Sequence, residues 1–208
     1  MITYSIPTLK IDIGTHPTAN TVTPPRPGEL DKYNFFVNVS DDEPYQMNKP
    51  DTEVHWFPVN EFGYWTYQPF YWITRLMDRA VEEKKDVYLH CHAGAHRSPM
   101  MGYLYLRSLG HNPDEAFKLL EEGWKVGADV TKNWLEETFL NDVEYGRIPE
   151  DVVQFMKDVR NNPKDSLMTV MHKRKVMDLP QKTVEKSGIK KPVGQIQIVM
   201  QEKGLFNK

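Results

Sequence analysis

At residues 90–98 the chain reads HCHAGAHRS, which places its one cysteine, Cys91, six positions before Arg97. The apolar run 86–90 predicts a short buried strand, and the apolar spacing over 98–109 predicts a helix. The loop between them therefore lies at a helix N-terminus, where unpaired backbone N–H groups and the helix dipole favour an anion. The same surroundings, with a nearby arginine, favour the thiolate form in which a cysteine attacks. We expect an anion-binding loop with a reactive Cys91, although a buried structural cysteine also fits the pattern.

This stretch is similar to the His-Cys-x5-Arg-Ser signature of the cysteine-dependent protein phosphatases, and the chain resembles their dual-specificity branch over roughly residues 6–145. The resemblance implies hydrolysis of phosphomonoesters without a metal or other cofactor, with Cys91 as the nucleophile and Arg97 as the clamp for the phosphate oxygens. It implies that Ser98 stabilises the departing thiolate. His90 and Asn133 match the family residues that support the loop. The residues expected to hold the phosphate are His92, Ala93, Gly94, Ala95, His96 and Arg97.

The general acid is where the chain departs from the family pattern. The family places an aspartate about thirty residues before the cysteine, and at this distance the chain has Glu61. A glutamate has the same carboxyl group on one more methylene, and a displacement of about 1 Å can cost on the order of a hundredfold in rate. We expect Glu61 to be the acid. The second choices are Asp41, Asp42 and Glu43, which equally fit an ordinary turn.

Two histidines inside the loop, His92 and His96, are unusual for this branch. Either could carry part of a positive charge near its ordinary titration range and favour acidic substrates, or simply point to solvent. A metal site shared with His90 is not expected, because a tight loop does not bring three imidazoles together and the arginine opposes a cation. Aromatic residues follow the expected acid, and the candidates for the pocket rim are Tyr64, Trp65 and Tyr67.

The apolar patterns predict an α/β fold with a mostly parallel central sheet flanked by helices, because strands joined through helices of this length pair in parallel. Such a sheet binds ligands at the carboxyl ends of its strands, where Cys91 is expected. The predicted strands before 86–90 are 8–13, 33–39 and 54–59. The predicted helices are 69–85, 98–109, one beginning at Pro113 with Ala116 inward, and 132–143.

We divide the chain into a catalytic domain at 1–145 and a basic, mainly helical C-terminal extension at 146–208. In the extension we predict helices at 149–160 and 168–177 and a strand at 194–200. Residues 163–208 hold ten Lys and Arg against four Asp and Glu, a net charge of +6, whereas the whole 208-residue chain has a net charge of −3. This tail could bind an acidic partner or pack on the acidic remainder of the chain.

Composition narrows the functional class further. The apolar content of 39% suffices for one substantial core, no apolar run reaches the length of a bilayer, and the N-terminus lacks a signal-peptide pattern. A single reactive cysteine needs a reducing compartment. We therefore expect a cytoplasmic protein whose partner is a phosphorylated protein substrate, with no membrane or nucleic-acid contact.

Several functions remain open on the sequence. The expected substrate is phosphotyrosine, with phosphoserine and phosphothreonine as further candidates. A catalytically weak phosphate-binding module would explain the missing aspartate. A phosphatase for phosphoinositides or RNA 5′-phosphate would suit the basic tail, although the loop carries no lysine. A rhodanese-like sulfurtransferase fits the Arg97-Ser98 pair and the loop length less well.

Overall fold

A computed structural model of the chain describes residues 1–18, 24–42, 45–47, 49–59, 66–122 and 149–175. The strands are β1 (Ile2–Ile6), β2 (Ile11–Gly14), β3 (Phe35–Asn38), β4 (Glu53–Trp56), β5 (Val87–His90) and β6 (Glu121–Glu122). The helices are α1 (Tyr67–Glu82), α2 (Arg97–Ser108), α3 (Pro113–Leu119), α4 (Pro149–Asn161) and α5 (Leu167–Arg174), with one 3-10 turn at Pro7–Leu9.

The strands form one sheet in the order β4-β3-β5-β2-β1-β6. Strand β5 lies in the middle, parallel to β2 and to β3, and β3 is parallel to β4. Among the described strands, only β1 runs antiparallel to its neighbours, which are β2 and β6. The predicted mostly parallel α/β fold is thus confirmed. In this register Gly14 and Asn38 both lie opposite His90, so the carboxyl ends of three parallel strands meet beside the Cys91 loop.

The strand predicted at 8–13 is wrong in its first half. Residues Pro7–Leu9 form a 3-10 turn that ends at Lys10 with a φ of 55°, and β2 begins only at Ile11. Proline fixes its own φ and has no N–H for a sheet ladder, so the chain turns there rather than continuing as a strand. The turn connects β2 to β1, a hairpin partner that the sequence analysis did not predict.

The two faces of the sheet are covered differently. Residues at alternating positions of β2, β3 and β5 join the main core, which helices α1 to α5 also enter. On the opposite face, Phe36 and Tyr88 form a smaller cluster with Tyr33, against which Leu30 and Met47 from the loops pack. This alternation follows from the period of two along a strand, which sends neighbouring side chains to opposite faces.

Helix α4 packs into the same core as the sheet. Its inward residues Val152, Phe155, Met156 and Val159 are buried, and the ring of Phe155 lies 4.5 Å from that of Tyr67. The α4 segment begins at Pro149, as predicted, and lies within the predicted extension. The division of the chain at residue 145 stays a prediction.

A polar cluster fixes α4 to the helices beneath it. The guanidinium of Arg160 donates to both carboxylate oxygens of Asp78, at 2.9 to 3.1 Å, and to the Ser108 carbonyl at 2.6 Å. The Tyr105 hydroxyl donates to the same carboxylate at 2.7 Å. One arginine therefore joins α4 to α1 and to the end of α2.

Helix α5 confirms most of the helix predicted at 168–177, and it ends where Lys175 adopts a φ of 55°. The helix predicted at 132–143 and the strand predicted at 194–200 lie outside the described residues. Among the helices that the structure describes, none combines the length and the apolar character that a membrane span needs.

Candidate active site

The Cys91 loop leaves β5 at the centre of the sheet and enters α2 at Arg97. It turns at Gly94, which has a φ of 70°. A Cβ atom there would lie 2.5 Å from the carbonyl carbon of Gly14, so the loop lies against the end of β2. The Thr3 hydroxyl also donates to the Gly94 carbonyl at 2.6 Å. Glycine is required here by both its backbone conformation and this close approach.

Cys91 is buried, and two donors point at its sulfur. The Gly94 N–H and the Ser98 hydroxyl each lie 3.3 Å from Sγ. The serine lies on the first turn of α2, so the sulfur also lies at the positive end of that helix.

Arg97 is almost fully buried, with 4% of its side chain exposed, and its Nη1 atom lies at the site. This nitrogen donates to the carboxylate of Asp41 and, at 3.2 Å, to the Val59 carbonyl. The Asp41 side chain itself is 61% exposed. Two of the contacts of the arginine are thus a backbone carbonyl and a carboxylate on an exposed side chain.

His90 supports the loop from inside the protein. Its side chain is fully buried, its Nε2 atom lies 2.6 Å from the Tyr45 hydroxyl, and its Nδ1 atom lies 3.3 Å from the Cys91 carbonyl. The ring of His16 packs edge-on against it at 5.0 Å. Burial lowers the pKa of His90 well below its usual value, so the imidazole is neutral. The neutral ring therefore lies between the Tyr45 hydroxyl and the Cys91 carbonyl.

His92 contacts an acid that precedes it by fifty residues. Its Nδ1 atom lies 3.0 and 3.1 Å from the two carboxylate oxygens of Asp42. Burial acts to raise the pKa of Asp42, but hydrogen bonds from His92 and Ser40 outweigh it and lower that pKa below its usual value. Asp42 is therefore an anion at neutral pH.

These side chains surround a pocket of about 220 Å³. Its lining is Asp41, Asp42, Cys91, His92, Ala93, His96 and Arg97. Of the phosphate-loop residues predicted from the sequence, Gly94 makes the turn and contacts Sγ, while Ala95 is partly buried between Gly94 and His96. Ser98 lies behind the sulfur.

Some predicted residues are placed differently, and others are not described. Tyr67, expected at the pocket rim, is only 4% exposed and packs against Phe155, so that expectation is wrong. It is the first residue of α1, whose inward face carries it into the core. The predicted residues outside the described part of the chain are Glu43, Glu61, Tyr64, Trp65 and Asn133.

Two pairings at the pocket were not predicted from the sequence: Asp41 with Arg97, and Asp42 with His92. Both acids follow β3, and both of their partners follow β5, which is the neighbouring parallel strand. The only sequence signal for these pairs is their common position after predicted strands. Among the described residues, no group of three histidine, cysteine or acidic side chains is arranged to hold a metal ion.

Comparison with known proteins shows similarity in structure alone. No protein-family model matches the chain, and no curated protein matches it. A mouse protein assigned to the dual-specificity phosphatases, crystallised with zinc tungstate, aligns with a TM-score of 0.51 at 18% identity, over 74% of this chain and 88% of its own. Human DUSP28 aligns with a TM-score of 0.49 at 14% identity, over 77% of this chain and 99% of its own. TpbA of P. aeruginosa aligns with a TM-score of 0.48 at 15% identity, over 74% and 96% of the two chains.

Proposed function

We propose that this chain, which has the dual-specificity phosphatase fold, is a cysteine-dependent phosphatase that hydrolyses phosphotyrosine, with phosphoserine and phosphothreonine as further candidate substrates. The observation that carries the proposal is the placement of the Cys91 sulfur, which receives hydrogen bonds from Gly94 and Ser98 in a pocket shared with Arg97. A nucleophile that is oriented by donors and lies beside a fixed cation is the arrangement that covalent phosphoryl transfer needs.

In the first step, the Cys91 thiolate attacks phosphorus and the bond from phosphorus to the leaving oxygen breaks. The planar guanidinium of Arg97 binds two of the phosphate oxygens, a geometry that an ammonium group does not reproduce. For this, Asp41 must release Nη1, and its exposed side chain can do so at small cost. The product of the step is a phosphocysteine and a protonated leaving group.

We propose Glu61 as the acid that protonates the leaving oxygen. It follows Val59 by two residues, and Val59 contacts Arg97 through its carbonyl at 3.2 Å. Two residues of extended chain span at most about 7 Å, so chain length alone does not keep a residue at position 61 from the pocket. Glu61→Gln should reduce turnover of alkyl phosphates more than that of aryl phosphates, because poor leaving groups need the proton most. An equal loss on both substrates would remove Glu61 from this role.

The first experiment measures p-nitrophenyl phosphate hydrolysis in reducing buffer with EDTA, for the full chain and for Cys91→Ser. We expect turnover in the wild type and none in the variant, whose hydroxyl is a much weaker nucleophile. Cys91→Ser should still bind tungstate, which shows that the pocket is intact. Equal activity in both proteins, or none in the wild type, contradicts the proposal.

A second candidate function is a phosphate-binding module with little turnover. The contact that favours it is the Asp41 carboxylate on Arg97, since that carboxylate competes with phosphate for the same nitrogen. This module predicts oxyanion binding by a wild type that does not hydrolyse p-nitrophenyl phosphate.

We infer a phosphorylated protein as the substrate and the cytoplasm as the compartment, because a lone cysteine with two donors on its sulfur needs reducing conditions. The basic segment 163–208 is proposed to contact an acidic partner. Pull-down with the Cys91→Ser protein and phosphorylated peptides tests the substrate class directly.

A further inference from the structure

We propose that His92, oriented by Asp42, is the base that activates water when the phosphocysteine is hydrolysed. This inference rests on the proposed phosphatase function and assigns its second step. Glu61 is then needed for the leaving group, and the histidine for the incoming water. A base that is oriented by a third group beside a nucleophile is a recognised arrangement in covalent catalysis.

The hydrogen bond to Asp42 determines which nitrogen of His92 can act. A carboxylate that is ionised can only accept, so the proton of the neutral imidazole is on Nδ1. The lone pair is then on Nε2, and no described residue makes a hydrogen bond to that atom. This tautomer is the one that accepts a proton at Nε2.

The position of His92 suits the same task. It directly follows Cys91, and both residues line the pocket. Its carbonyl accepts the His16 N–H at 3.0 Å, so the backbone is held from one side and the side chain from the other. The side chain is 42% exposed, so water can reach it. The residue is thus fixed in position and open to the solvent that supplies the nucleophile.

The charges around His92 favour a base over a binding site for a second anion. Asp42 provides a negative charge that stabilises the imidazolium formed when a proton is accepted. His16, which faces the same pair, has its pKa lowered by burial and adds no competing positive charge. Asp41 adds another carboxylate at the rim. Two carboxylates at one pocket offset the histidine and so disfavour an acidic extension of the substrate.

In the proposed step, the oxygen of water attacks the phosphorus of the Cys91 phosphocysteine. The phosphorus–sulfur bond breaks, and its electron pair returns to Sγ, where the Gly94 N–H and the Ser98 hydroxyl stabilise it. The proton of the water passes to His92 Nε2 and then to solvent. Inorganic phosphate leaves, and the enzyme is restored without any other reactant.

The test follows p-nitrophenolate release by the full chain on the millisecond scale, together with rapid acid quenching to measure the phosphoenzyme. For His92→Gln we expect a burst of one product per active site, followed by a steady rate about 100-fold slower than wild type, since general base catalysis contributes this much. The burst phase itself should keep its rate, because the first step is untouched. His111→Gln is the matched control: His111 is 39% exposed and lies 3.9 Å from the Glu115 carboxylate, outside the pocket.

Asp42 is a positioning residue in this scheme, and two variants test it. Asp42→Asn should also accumulate phosphoenzyme, whereas Asp42→Glu, which keeps the charge, should restore part of the second-step rate. An unchanged steady rate in His92→Gln overturns the proposal, and so does a loss confined to the burst phase. Accumulation in Glu61→Gln but not in His92→Gln would assign the base to Glu61. A wild type that shows neither phosphoenzyme nor turnover refutes the proposed function itself. This outcome is distinct from a failure of the proposed role of His92.

Discussion

Replacing Gly94 by alanine tests whether the phosphate loop depends on its contact with β2. Alanine at a φ of 70° costs about 1 kcal/mol relative to glycine. The new Cβ would also lie 2.5 and 2.6 Å from the carbonyl carbon and oxygen of Gly14, and 3.0 Å from the Thr15 nitrogen. These are backbone atoms of a central strand and its end, which cannot move aside as a flexible side chain would. Such overpacking adds about 1–3 kcal/mol, so we expect about 2–4 kcal/mol in total.

The loop carries one of the donors to the Cys91 sulfur, so its displacement should also reduce activity. A shift of about 1 Å in a catalytic group can cost about 100-fold in rate, and we expect a loss of this size in kcat on p-nitrophenyl phosphate. Gly110→Ala is the matched control, because Gly110 has a φ of 111° but nothing within 4 Å of its Cβ position. Urea unfolding gives the stability of both variants. If Gly94→Ala were no less stable than Gly110→Ala and fully active, the close approach to Gly14 would not constrain the loop.

Three further changes probe the core, the edge of the sheet and the pocket. Arg160→Met removes the contacts to Asp78 and should lower the free energy of unfolding by about 2 kcal/mol, because a partly exposed ion pair contributes less than a buried one. A loss too small to measure by urea unfolding would contradict this prediction. Burial acts to raise the pKa of Glu53, but two basic partners outweigh it and hold that pKa at about 2, below its ordinary 4.5. The ionised Glu53 side chain stabilises the folded protein by about 1 kcal/mol after solvent screening. This contribution is present above pH 4.5 and is lost as the pH falls towards 2. The melting temperature of Glu53→Gln should therefore depend less on pH in this range than that of the wild type. An unaltered pH dependence would refute this prediction. Asp41→Asn should tighten tungstate binding in calorimetry by about fivefold, because the carboxylate no longer competes for Arg97, and equal or weaker binding would show that it does not compete.

The fold could be predicted largely because its strongest signals are local. The buried run of β5, the helical spacing of α1 and the capping residues of α3 each determine one element without reference to the rest. Strand β1 was missed because Pro7 interrupts the pattern and the pairing of β1 depends on a hairpin with an irregular register. The burial of Tyr67 was missed for a related reason, since its neighbour Phe155 comes from a helix 88 positions later in the chain.

In the candidate site, too, the local features could be predicted from the sequence and the long-range contacts could not. The loop from Cys91 to Ser98 is contiguous, so its residue types and spacing alone predict a phosphate-binding loop with a nucleophile. The pairs Asp41–Arg97 and Asp42–His92 join residues about fifty positions apart, and nothing in the local pattern distinguishes these acids from turn residues.

The order of the strands in the sheet brings the two residues of each pair together. Asn38 and His90 are register partners at the ends of β3 and β5, so Asp42, four residues beyond the first, and His92, two residues beyond the second, emerge at the same edge of the sheet. A sequence pattern predicts that both strands exist and end there, but it does not determine that they are neighbours, because adjacency depends on packing across the whole sheet. Had another strand come between them, these side chains would be separated by at least one additional strand spacing of about 5 Å, too far for the direct hydrogen bonds observed. The proposed base therefore depends on sheet topology, whereas the proposed nucleophile depends on the local loop. Substitutions that shift β3 against β5 should impair the second step of the proposed reaction before the first.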